Sequence, residues 1–171
     1  MKITAIAAVL LLTACETQPD FPVPEQRRNF ELPNSPAGRL LNMNDPGVTY
    51  RFVRDISSDL TANWRWAFQK PAVKIRVRTD RPLKYTIDFA VPDFTMKETG
   101  PVTIAFTVND RELDRVRYDT PGDHHFEKPI PPGWMRVDEE VILGAEIDKM
   151  WTSQSDGARF GFIITRIGLA K

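Results

Sequence analysis

Several short stretches carry residue types that can do chemistry. Trp64, Trp66 and Phe68 alternate with Asn63, Arg65 and Ala67, so on a strand the three rings share one face. An exposed row of this kind stacks on the apolar face of a pyranose while polar neighbours hold its hydroxyls. Aromatic rings also fill sandwich cores, and burial is the reading this row favours; Arg65 then points outward. Trp134 and Trp151 lie in turn-like stretches, Pro131-Pro132-Gly133-Trp134 and Lys149-Met150-Trp151-Thr152, where loop aromatics can meet a ligand. Asp156 and Arg159 bracket a turn that a salt bridge between them would fix, and their loop is a second candidate for ligand contact. In Asp123-His124-His125-Phe126-Glu127 a strand sends adjacent histidines to opposite faces. The cooperating set is then Asp123, His125 and Glu127: one imidazole and two carboxylates that could hold a divalent ion or act as acid and base. A solvated polar row on an edge strand accounts for the same pattern.

No Gly-x-Ser-x-Gly elbow, His-Glu-x-x-His helix, phosphate-cradling glycine loop or dinucleotide fingerprint occurs. A binding role is therefore expected rather than turnover, with no cofactor.

The elements that must position these residues are strands. Val73, Ile75 and Val77 alternate with Lys74, Arg76 and Arg78. Tyr85, Ile87, Phe89 and Val91 form a second inward row, Ile104, Phe106 and Val108 a third, and Val141, Leu143, Ala145 and Ile147 a fourth. Further runs near 50–53, 64–68, 112–118, 124–128 and 160–169 bring the total to about nine, with no helical segment. Asn109-Asp110 sits between two alternating runs, and both residues tolerate the left-handed backbone of a tight hairpin. The pattern predicts an all-β domain over 47–171, a two-sheet antiparallel sandwich.

Composition narrows the partners. Among 171 residues, 23 Lys and Arg balance 23 Asp and Glu, so no broad basic field exists to hold nucleic acid. Two histidines and one cysteine cannot make a zinc site of four Cys or His ligands. Residues 15–46 contain Pro19, Pro22, Pro24, Pro33, Pro36 and Pro46 without strand or helix period, which reads as a tether. Its apolar residues, Leu40 and Leu41 among them, could dock part of it on the domain.

Two resemblances extend this reading. Met1 and Lys2 precede an apolar run from Ile3 to Leu12, too short to span a bilayer, and Leu12-Thr13-Ala14-Cys15 resembles the lipobox of bacterial lipoproteins. The resemblance implies that residues 1–14 are a signal peptide and that Cys15 is lipidated and becomes the N-terminus. Several acyl chains would anchor it firmly in a membrane, since each buried methylene contributes about 0.8 kcal/mol. Glu16, where inner-membrane retention calls for Asp, favours the outer membrane. The series Trp64-Arg65-Trp66, Pro101 to Asn109, Pro121-Gly122, Val141 to Ile147 and Asp156 to Phe162 running into Ile167-Gly168-Leu169 resembles galactose-binding-like jelly-roll domains. That resemblance implies a jelly roll and an accessory, binding role. The expectation is a lipid-anchored envelope protein whose sandwich binds a glycan or a protein partner. The alternative is a structural envelope component that assembles through a sheet edge, with a metal-assisted hydrolase further behind.

Overall fold

The computed structural model describes residues 39–171. The expected signal peptide, Cys15 and the tether as far as Gly38 lie outside the described residues. Eleven strands follow in order: β1 Leu40–Asn42, β2 Phe52–Ile56, β3 Arg65–Arg76, β4 Lys84–Val91, β5 Val102–Val108, β6 Arg111–Tyr118, β7 Gly122–Pro129, β8 Glu140–Ile147, β9 Trp151–Thr152, β10 Arg159–Phe160 and β11 Phe162–Ala170. A 3-10 turn occupies Pro46–Arg51, and a short helix, α1, spans Asp93–Thr99. The count differs from the expected nine because Trp64–Phe68 and Val73–Val77 fuse into one twelve-residue strand, β3, while β1, β9 and β10 are additional. The helix corrects the all-strand expectation; Pro92 precedes it and Gly100, at φ 69°, ends it.

All pairings are antiparallel, in the order β6-β5-β8-β3-β11-β4-β7, with β2 added on β3 and β1 on β11. The second half of β3 pairs with β8 (Ala72↔Gly144 to Arg76↔Glu140), whereas its first half pairs with β11 (Ala67↔Phe162, Arg65↔Ile164). β3 thus passes from one layer into the other. Ring contacts demonstrate the closure: Phe106 of β5 stacks on Phe126 of β7 at 3.7 Å and 11°, and Tyr85 of β4 meets both edge-on. Strands at opposite ends of the pairing order touch only if the path folds back on itself, giving a β-sandwich.

The inward rows at 73–77, 85–91, 104–108 and 141–147 are buried as period two requires. Tyr85 donates its hydroxyl to the carbonyl of Gly144, 3.1 Å away, and burial, aided by Tyr118, pushes that phenol far above its ordinary value. Asn109 and Asp110 take φ 51° and 59°, the left-handed pair that a tight two-residue hairpin needs between β5 and β6.

The domain begins earlier than residue 47. Leu40–Asn42 pair with Gly168–Arg166 of β11, Leu41 is buried and Met43 is fully enclosed. Only glycine permits this at 168, because a Cβ there would stand 2.0 Å from the carbonyl oxygen of Arg39.

Candidate functional site

The site is governed by the phase of β3. Odd-numbered side chains point inward at both ends of the strand, Val73 and Ile75 at one and Ala67 and Arg65, the last only 2% exposed, at the other; between them Gln69 and Lys70 are both exposed and Pro71 and Ala72 both buried, where the register with β2 shifts. The even set, Trp64, Trp66 and Phe68, therefore lies on the outer face and is only partly covered. Both expectations for this stretch are corrected: the tryptophan row is not core, and Arg65 does not point outward. The inner space at this end is filled by the Arg65 side chain. Its Nε donates to the carbonyl of Met43 at 3.0 Å and its Nη1 to those of Ser58 and Ser57, while the guanidinium covers the ring of Phe52. A buried cation satisfied by carbonyl oxygens ties the 57–58 loop and the chain ahead of β2 to the strand. Arg65 is thereby removed from the ligand-facing set.

Outside, aromatic side chains from four elements join into one wall. Trp64 meets Trp66 edge-on at 5.5 Å, and Trp66 packs on Phe160 at 4.8 Å. Phe160 lies 5.9 Å from both Phe68 and Trp151. Phe94, on α1 and 46% exposed, contacts Trp151 at 4.8 Å and Trp66 at 6.3 Å. The β9–β10 hairpin delivers two of these rings together, since Trp151 is directly opposite Phe160.

Its turn is not fixed by the expected salt bridge. Asp156 accepts from the amide of Ala158 at 3.1 Å, and hydrogen bonds from Ser153 and that amide hold its carboxyl below the usual carboxylate range. Gly157 supplies the positive φ of 72° that the turn requires. Arg159 is exposed opposite Thr152, without an ion pair to Asp156. Trp134 stands apart from the wall: the Arg111 guanidinium lies 4.0 Å over its ring, and Asn109 donates to its carbonyl beside the β5–β6 turn.

Beyond Trp64 the same outer face continues as a groove of about 700 Å³ crossing β11, β4 and β7. Register sets its floor: Trp66 is opposite Ile163, Ile163 opposite Ala90, and Ala90 opposite Asp123. On the neighbouring row Asp88 faces His125, and Thr165 Oγ1 donates to the Asp88 carbonyl at 3.1 Å. The Asp88 carboxylate accepts from His125 Nδ1 at 2.5 Å on one oxygen and from Arg166 Nε at 2.6 Å on the other. Partial burial pushes its pKa up, but the two charge-assisted hydrogen bonds outweigh it and the carboxyl sits below its ordinary value. His124 points the other way, against Phe89 and Tyr118.

Asp123, His125 and Glu127 do not assemble into the metal row that their spacing allowed. His125 is taken by Asp88 and Glu127 by Lys84 at 2.7 Å, and among the described residues no three His, Cys, Asp or Glu side chains converge on one point. The structure thus gathers Trp64, Trp66, Trp151, Asp123 and His125 on one face and excludes Arg65 and Trp134 from it. It adds Phe94, Phe160, Asp88, Thr165 and Arg166, which sequence reasoning had not put at a site. No local signal in the sequence reveals the outward tryptophans, because the alternation of Val73–Ile75–Val77 is interrupted at Gln69–Ala72 before it reaches them.

No protein-family model matches this sequence, and no curated protein matches it. Among solved structures the chain is similar to a family 35 carbohydrate binding module from an environmental isolate, at 12% identity and a TM-score of 0.47, covering 77% of this chain and 92% of that one. It is also similar to Xyl-CBM35, solved with a glucuronic acid containing disaccharide, at 12% identity and a TM-score of 0.44, covering 78% and 93% respectively. A third similarity is to the family GH115 4-O-methyl-alpha-glucuronidase BtGH115A, at 9% identity and a TM-score of 0.44; there 64% of this chain spans only 14% of the enzyme's length.

Proposed function

We propose that this protein is a lipid-anchored, non-catalytic glycan-binding module of the bacterial cell envelope. It is held to the membrane through Cys15 and takes a sugar chain on the outer face of its sandwich. The observation that carries this reading is the juxtaposition of an accessible aromatic wall with a polar groove: Trp64 and Trp66 on one side, Asp88, Asp123 and His125 on the other. Aromatic rings take the apolar face of a pyranose and the polar row takes its hydroxyls, the two requirements of sugar binding. The anchoring half rests on the lipobox-like Leu12-Thr13-Ala14-Cys15. Assembly through a sheet edge is less well supported, because the terminal strands β6 and β7 carry Arg111, Glu112, Asp114 and Arg115, and Asp123, Glu127 and Lys128, charges that oppose edge pairing.

Two measurements test it. A glycan array probed with the full chain should give hits that Trp66→Ala abolishes; an array without hits overturns the binding half. Cys15→Ser should release the protein from membranes after a salt wash, and retention would overturn the anchor.

A further inference from the structure

We infer that the groove selects glycans bearing free amino groups over those bearing carboxylates. This rests on the glycan-binding reading above and concerns the polarity of its hydrogen-bonding groups. Asp88, ionised, has no hydrogen to give, so the hydrogen between it and His125 belongs to Nδ1. In the neutral ring this leaves Nε2, which has no protein partner among the described residues, as an acceptor. Thr165 also lines the groove, and its hydroxyl hydrogen goes to the Asp88 carbonyl, which leaves lone pairs for a ligand. Asp123 can only accept, and among the described residues no cation pairs with it.

Charge points the same way. From β11, Arg166 is engaged with Asp88, and that pair cancels. From β7 and β4, Glu127 and Lys84 neutralise each other further along the sheet. Asp123 is then the net charge on the groove, beside an aromatic wall that takes a sugar ring of any substitution. Around Asp88, His125, Thr165 and Asp123 donors are wanted from the ligand, and one positive charge; Asn63 and Trp64, which also line the groove, can donate but carry no charge. Hydroxyls meet the first condition and an ammonium meets both, whereas a uronate brings a like charge to a row of acceptors.

The test uses the full chain in a detergent without a sugar headgroup, titrated calorimetrically at about pH 7, above the ordinary imidazole value and below the ordinary α-amino value, with carboxylates ionised. The probes are a glucosamine oligomer, its N-acetylated counterpart, an oligogalacturonate of equal length and a lysine peptide of matched charge. The glucosamine oligomer should bind roughly five-fold tighter than the acetylated one, the galacturonate should bind weakest, and the lead should shrink with added salt. Asp123→Asn, with unchanged circular dichroism, should bring the first two to parity. Equal or tighter galacturonate binding, a lead that survives Asp123→Asn, or a lysine peptide that binds as well as the sugar would each overturn the inference. If the neutral oligomer binds without any preference, selectivity falls and the glycan reading stands; if no oligomer binds, both fall.

Discussion

The two halves of β3 turn their odd-numbered side chains inward on either side of a break at Gln69–Ala72, and they obey opposite rules of composition. From Val73 to Val77 the inward positions are aliphatic and the outward ones are Lys74 and Arg76, the ordinary arrangement of a half-solvated strand. From Trp64 to Phe68 the inward positions hold Arg65 and Ala67, and the outward ones hold three aromatics. That half places its large apolar area where it does not serve the core, and it leaves a cation inside. Such an inversion is costly to the fold, and the wall and groove lie directly beside it.

The contrast can be broken by substitution. Ile75→Ala, in the conforming half, should be the most damaging, lowering stability by about 3 kcal/mol in urea unfolding. Arg65→Leu would make the first half conform to the rule of the second. It should nonetheless destabilise by about 2 kcal/mol, because the carbonyls of Met43 and Ser58 lose their donor; a gain in stability would show that the inversion is not maintained by these bonds. Trp66→Ala should lower stability by only about 1–2 kcal/mol, since the ring is partly uncovered, while abolishing glycan binding. A stability loss matching that of Ile75→Ala would mean that the wall is core after all.

The smallest effect concerns acid. Asp88 has its pKa lowered in the folded protein, so its contribution is complete above the ordinary carboxylate value and is lost as pH falls through the depressed one. Asp88→Asn should flatten the urea midpoint over that acid window, by less than about 1 kcal/mol after solvent screening.

What could be read without coordinates follows from how local each feature is. The Asn109–Asp110 hairpin and the four inward apolar rows were legible because turn chemistry and period two act between near neighbours. The tryptophan row was misread because large aromatic rings were taken as core, and the alternation of Val73–Val77 breaks at Gln69–Ala72 before it reaches them. α1 was missed since its seven residues have no room for an apolar period, although Pro92 and Gly100 mark its limits. The Asp88, His125 and Arg166 cluster was out of reach: it joins residues of three strands, and only cross-strand register brings them side by side.

Consider finally where the chain comes into the sandwich. Arg39 and β1 lie along the far end of β11, at Gly168 and Leu169, whereas Trp66 lies beside its near end at Ile163. Five residues of extended strand separate the two, roughly 17 Å. The aromatic rings therefore project from the end of β11 opposite to the one that β1 lies along, so a partner seated on them leaves the β1 end of the sheet uncovered.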